Sequence, residues 1–273
     1  MRRLSRHSRL LVAGPILIGL VVLALFSGVL APADPLKIDA RGILKSPSAD
    51  HPLGTDQLGR DLLSRVIYGA RISLSVAAAA VFVATLVGVA LGLLAGYAGG
   101  WVENGIMRGV DAFLSIPEIF VAIVIMAFFT SGLTTLIFTI GLLYFPQFAR
   151  VIYAVTISIK RKEFVEASVA LGAGAPRVLF REILPNIASI IVVQITFTIS
   201  FAMLLEAGLS FLGLGVMPPR PSWGQMVGDL KDYIAINPLP VIFPSAALFL
   251  AVFSVNTLGD WLQDWLNPEV AKD

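Results

Sequence analysis

ISLSVAAAAVFVATLVGVALGLLAGYA, residues 72–98, decides the fold. It contains no charged side chain and is longer than the roughly 20 residues that a helix needs to cross the hydrocarbon core of a bilayer. It is also built on small residues. Ala80, Ala84, Gly88, Gly92, Gly96 and Gly100 recur at every fourth position along it and just beyond. Small residues at that spacing cut a groove that lets a second helix approach closely. Such a groove serves static packing, the commoner use, or an interface that moves beside a transport path.

Five more apolar segments of spanning length flank it, at about Leu10–Leu30, Ile106–Phe129, Leu133–Val155, Ile187–Leu212 and Val241–Leu262. Composition agrees. The chain of 273 residues is 57% hydrophobic and 14% charged, with a mean hydropathy of +0.85. A soluble domain keeps about a quarter of its residues charged. The expected class is an all-α polytopic membrane protein with six transmembrane helices. The first segment has a rival reading, because Arg2, Arg3, Arg6 and Arg9 precede it and Ala31-Pro32-Ala33 follow it, as in a signal peptide. Its apolar run exceeds the roughly 7–15 residues of a signal core, so an uncleaved span is expected.

Orientation follows from the basic residues. The N-terminal arm carries four arginines and no acid, and the loop after the fourth span carries Arg150, Lys160, Arg161, Lys162, Arg177 and Arg181 against three acids. Both are expected on the cytoplasmic side. Six spans then put both termini in the cytoplasm, and the loops at about 31–71 and 213–240 outside. The tail bearing Asp260, Asp264, Glu269 and Asp273 is acidic yet inside, which acids permit because they weigh little in this rule. The expected organisation is an arm and first span (1–30), an external loop with an amphipathic segment (31–71), and a five-helix core (72–273) containing a cytoplasmic loop at 156–186.

Several chemistries are excluded. The net charge of +2 is spread over three regions rather than one stripe, which argues against nucleic acid. With no cysteine there is no disulfide or thiolate metal site. The histidines, His7 and His51, lie outside the apolar segments, leaving no intramembrane serine–histidine couple. No Gly-Lys pair occurs, so no phosphate-cradling loop of the Gly-Lys-Ser/Thr type is present. Gly208-Leu209-Ser210-Phe211-Leu212-Gly213 misses the spacing of a nucleophile elbow by one residue.

The cytoplasmic loop is the most informative. From about Ser158 to Leu171 it holds good helix formers with an apolar face through Phe164, Ala167 and Leu171. Gly172 is placed to end that helix in a left-handed cap. Pro176 suits the first turn of a second helix, which Pro185 ends or kinks before the fifth span. The result is a short helix–turn–helix with an apolar ridge, which lies on the membrane surface or inserts into a groove of a partner protein. The residues alone weigh these two equally.

Glu166-Ala167-Ser168, then Gly172, then Leu184-Pro185 resembles the EAA loop of ATP-driven importer permeases, with Ser168 where alanine is usual. Further stretches resemble the dipeptide, oligopeptide and nickel branch of that family. They are His51-Pro52-Leu53-Gly54-Thr55-Asp56 with Gly59-Arg60-Asp61, Tyr97-Ala98-Gly99-Gly100-Trp101 with Met107-Arg108, Asp111 and Pro117, and Leu209 to Gly215 with Pro221-Ser222-Trp223-Gly224. Asn256, Leu258-Gly259-Asp260 and Asn267-Pro268 complete the pattern.

The resemblance implies that Glu166, Ala167, Ser168, Gly172, Leu184 and Pro185 form a coupling element docking into an ATPase subunit. It implies a second permease subunit, expected to be a different chain, two ATP-binding subunits and an external substrate-binding protein. ATP and magnesium are expected on those partners, with no cofactor on this chain, in a bacterial-type inner membrane. The mechanism implied is alternating access, with the stripe of Gly88, Gly92, Gly96 and Gly100 letting helices slide.

Charges inside spans are costly and usually face protein or water. Glu206 lies deep in its span with no base nearby in sequence, and is the candidate path or gate residue. Asp111 is a second candidate, although an intrahelical pair with Arg108 or an interfacial position is the plainer reading for it, as an interfacial position is for Glu118. Gly54 to Arg71 spaces Leu58, Leu62, Leu63, Val66 and Ile67 as on an amphipathic helix along the outer membrane surface. A stand-alone secondary transporter or channel is the rival from another class. It calls for paired intramembrane charges or matched broken helices, and Pro15, Pro117 and Pro146 form no matched pair. A membrane-embedded enzyme ranks last.

Overall fold

The computed structural model describes residues 2–129 and 132–266, with side chains from residue 10 onward. The arginines of the N-terminal arm, and the closing Asn267-Pro268, Glu269 and Asp273, lie outside the side chains so described. Apart from a single bridge between Thr55 and Asp61, the described secondary structure is helical.

In chain order the helices are α1 (Arg2–Leu25), α2 (Ser27–Leu30), α3 (Leu62–Ala98), α4 (Gly100–Leu114), α5 (Glu118–Phe128), α6 (Leu133–Lys160), α7 (Glu163–Ala170), α8 (Ala175–Arg177), α9 (Leu184–Phe211), α10 (Trp223–Leu230) and α11 (Leu239–Leu266). A π-helical turn, Val178–Ile183, joins α8 to α9, so that helix is continuous over 37 residues from Ala175 to Phe211.

The expectation of six spans is corrected in detail. Among the described residues four helices are long and apolar enough to cross a membrane: α3, α6, the α8–α9 rod and α11. The third segment is α4 and α5, bent by 89° at a break. Pro117 causes it: proline has no N–H to continue the ladder and forces the preceding residue out of the helical region. Ser115 closes α4 by donating to the Ala112 carbonyl (2.7 Å). The first segment is a shorter apolar helix, Leu10–Leu25, and its Leu20 and Ala24 pack into the main core.

The core forms around α3 and α6, the most extensive helix pair. Ala77, Ala80, Val81 and Ala84 of α3 meet Leu136, Ile140, Tyr144 and Phe148 of α6. At the Leu62 end of α3 the segments 31–61 and 213–240 pack on each other. Leu62, Met226 and Leu230 form a small core with Leu44, Leu53 and Val241, and the Asn237 amide donates to the Leu44 carbonyl (3.2 Å). The loop around α7 is at the opposite end, where Lys160 donates to the Tyr97 carbonyl (2.6 Å).

The amphipathic helix expected over Gly54–Arg71 forms only from Leu62, as the start of α3. Gly54 (φ 80°) and Gly59 (φ 74°) occupy left-handed backbone, and residues 54–61 fold into a compact knot. Its Asp61 caps α3, accepting from the Ser64 N–H (2.8 Å). The helix therefore starts at Leu62, ten residues before the apolar run does. Leu62 and Ile67 are buried rather than lying on a membrane surface.

Candidate functional site

The loop after α6 contains two elements where the periodicity predicted one. The first span of helix stops at Lys160, Arg161 and Lys162 form a break, and α7 follows. The end of α7 is a Schellman motif. Gly172 has φ 87°, its N–H donates to Val169 O (2.9 Å), and the Ala173 N–H donates to Ser168 O (3.1 Å). Pro176 stands in the first turn of α8.

Pro185 does not end the second helix. It lies in the first turn of α9, directly after the π turn, whose wide register is marked by the Leu184 N–H donating to Leu179 O. The second half of the helix–turn–helix is thus the near end of a membrane span. One side of the loop is anchored, with Val165, Val178 and Ile183 buried against Leu93, Ile152 and Ile187, and Leu184 packed beside them. The other side is open, with Phe164 42%, Val169 49%, Leu171 90% and Phe180 64% exposed. Glu166, Ala167 and Pro185 are exposed as well. Ser168 donates to Glu182 Oε1 (3.3 Å), linking α7 to the π turn. A groove of about 730 Å³ runs beside the loop, lined by Tyr97, Gly99, Glu103, Lys160, Val165 and Glu166 among others.

The glycine stripe is placed against α6. A Cβ on Gly88 would strike Phe148 and the Phe145 carbonyl, one on Gly92 would come within 2.7 Å of the Ala149 carbonyl, and one on Gly96 within 2.7 Å of Thr156. Gly100 does not belong to the seam; it opens α4 with φ 58° and has nothing within 4 Å of an added Cβ. An interdigitated seam of this tightness locks the two helices together, which runs against the expectation that they slide.

Glu206 is fully buried. It accepts from Ser73 of α3 (3.0 Å) and Ser210 of α9 (2.7 Å). Ser73 in turn accepts from the Trp223 N–H (3.2 Å), and Ser210 from the Val216 N–H (3.3 Å). It therefore faces no surface of the chain, and the path-lining expectation is corrected: Glu206 ties α3, α9 and the segment before α10 into one polar knot.

Asp111 pairs with Arg150 of α6, not with Arg108, and both side chains are more than half exposed (51% and 56%). One turn along α6 from Arg150, Tyr153 donates to Glu103; the buried Tyr144 hydroxyl bonds Glu118. The rival transporter reading called for a paired intramembrane charge and broken helices. One exposed charge pair and one break are present, but a second, matched break is not found among the described residues.

Sequence reasoning missed a buried ion cluster before α3. Asp56 is 1% exposed, accepts from Arg60 Nε (2.6 Å) and is ion-paired with Arg65 Nε (3.1 Å). Its other oxygen accepts from the N–H groups of Leu58 and Arg60 (2.9 Å each). Arg65 also donates to Pro35 O (3.3 Å), and His51 Nδ1 lies 2.9 Å from Asp61. Asp229 of α10 faces this cluster. Burial raises its carboxyl above the usual range, against the pull of Arg65 and Arg60. The signal available was two aspartates beside glycines in a segment rich in turn formers.

The comparisons with known proteins agree with this architecture. The family model for the inner membrane component of binding-protein-dependent transport systems matches residues 88–272. The chain is 38% identical to a glutathione transport system permease protein of Pectobacterium atrosepticum, over 98% of this chain and 90% of that one. It is 37% identical to a dipeptide transport system permease protein of Alkalihalophilus pseudofirmus, over 97% and 88%. Its fold is shared with a chain of the inward-facing MetNI methionine ABC transporter, at a TM-score of 0.61 and 21% identity, over 72% of this chain and 94% of that one. On these matches the chain belongs to the family of inner membrane components of binding-protein-dependent transport systems, as a permease subunit of an ATP-driven importer whose ATPase resides in separate subunits.

Proposed function

We propose that this permease carries short peptides, glutathione or dipeptides among them, across the inner membrane. The names of its relatives support that substrate class. A different permease chain completes the path, two ATP-binding subunits carrying ATP and magnesium dock on the loop around α7, and an external binding protein delivers the peptide. Both termini and α7 lie in the cytoplasm.

The single observation that carries the docking role is the exposed ridge of Phe164, Leu171 and Phe180 on a loop whose other face is anchored. Large exposed apolar groups on an ordered element mark an interaction site, and a helix laid into a groove is a common mode of recognition. Glu166 to Gly172 transmit the closure of the ATPases to the α8–α9 rod through the Ser168–Glu182 link. The seam at Gly88, Gly92 and Gly96 makes α3 and α6 one body against which α4, α5 and α9 move.

Purification of the tagged protein in mild detergent tests this. Wild type brings down the ATPase subunits, whereas Glu166→Arg and Gly172→Asp insert in the membrane and lose them. Wild type that brings down no ATPase with any nucleotide overturns the reading.

A further inference from the structure

The half-exposed ion pair on α6 has a neighbourhood that fixes what it can meet. The helix is apolar over most of its 28 residues, yet Gln147 and Arg150, one turn apart, form a short polar strip. The opposite side carries Phe148, Ala149, Ile152 and Thr156, which fit the glycines of α3. The strip is therefore turned away from the core, towards α4 and α5.

Depth follows from helical rise. Arg150, counted from sequence with the cytoplasmic loop, belongs to α6: it stands about 15 Å from Lys160 and about 26 Å from Leu133 along the axis, inside a hydrocarbon core about 30 Å thick. A charge pair more than half exposed at that depth is expensive against lipid, so it faces water or another polar group. The 89° break at Ser115-Ile116-Pro117 lies a few residues from Asp111.

Resting on the reading of this chain as a peptide permease, we infer that Asp111 and Arg150 form a transient binding site on the translocation path for the charged ends of a free peptide. The carboxylate takes the terminal ammonium and the guanidinium fork takes the terminal carboxylate, a match of charge and of bidentate geometry. In the empty path the two side chains satisfy each other. A passing peptide exchanges one charge-assisted pair for two, and the pair re-forms behind it, so the peptide is held and also released. A permeation site needs both. Tyr153, which donates to Glu103, stands one turn from Arg150.

Two measurements on the complete transporter in proteoliposomes test the site. The chain has no cysteine, so Gln147→Cys supplies one thiol on the strip, and Phe138→Cys one at an exposed apolar position of the same helix. A charged, water-soluble thiol reagent is expected to label Gln147→Cys and not Phe138→Cys, with labelling slowed while peptide is transported. No labelling of Gln147→Cys in any nucleotide state overturns the site, because the strip is then covered by the partner permease.

The second measurement uses the charge-neutral, polar double variant Asp111→Asn with Arg150→Gln. It is expected to keep its melting temperature and its ATP hydrolysis stimulated by the binding protein, while peptide taken up per ATP falls about tenfold. Unchanged uptake overturns the site alone. A wild-type complex that transports no free peptide overturns the peptide reading, and the site falls with it.

Discussion

The two ends of the α3–α6 pair solve opposite problems. Around the start of α3, charged groups are buried and matched. Asp56 holds two arginines, Asp61 caps a helix and meets His51, and Asn237 reaches across to the Leu44 carbonyl. Around α7, apolar groups are exposed and unmatched, with Leu171 at 90%. The charges of one end are met by their own chain; the ridge of the other is left open by it. A buried polar cluster is costly unless its members are satisfied, and an exposed apolar ridge marks a protein or membrane contact, which the proposed docking on the ATPase subunits would supply.

The contrast predicts where substitutions do damage. Asp56→Ala leaves two buried guanidinium groups without their counter-charge, and the loss is about 3–5 kcal/mol, read as a large drop in the melting temperature of the purified protein. Gly88→Val places side-chain atoms on the backbone of α6 and lowers stability by about 1–3 kcal/mol in the same assay. Gly172→Ala forces a Cβ into left-handed backbone at a cost of about 1–2 kcal/mol, confined to the loop and visible as faster amide exchange in α7.

Leu171→Asp sharpens the comparison most directly. Stability stays within about 0.5 kcal/mol of wild type, as for an ordinary surface change, while ATPase subunits no longer co-purify. A substantial loss of stability with retained co-purification would show that the ridge is internal packing after all.

Asp229→Asn is the mildest change. Burial raises the wild-type carboxyl, so the native state holds its proton more tightly than the unfolded chain does. That contribution to stability is present at low pH and declines as pH rises through the folded-state value. The asparagine variant lacks this decline. Melting curves of the two proteins are therefore expected to converge at low pH and to separate in favour of the variant near neutrality.

Much of this was legible in the sequence. Apolar length alone located the segments, and Gly172 with Pro176 fixed the turn after α7, because both features depend on nearest neighbours along the chain. What escaped was non-local. Asp111 finds Arg150 thirty-nine positions away, while Arg108 offered only the nearest basic residue in sequence. Glu206 is satisfied by serines from separate elements, a match that no spacing reveals. The knot at 54–61 was disguised because Leu58, Leu62 and Leu63 extend a helical period backwards across two glycines whose left-handed backbone breaks it. Pro117 was visible as an interruption, but the 89° bend it allows depends on what α4 and α5 pack against.

The unbroken rod from Ala175 to Phe211 has a mechanical consequence. At 37 residues it is about 55 Å long and overreaches the bilayer. Its lower end is tied to α7 through Ser168 and Glu182, and its upper end to the opposite cap through Glu206 and Ser210. The wide turn at 178–183 is where that rod leaves the α-helical register, and it sits beside the attachment of α7. If the proposed docking loads α7, the rod's irregular stretch lies next to the load and its regular stretch spans the rest of the way to the far cap.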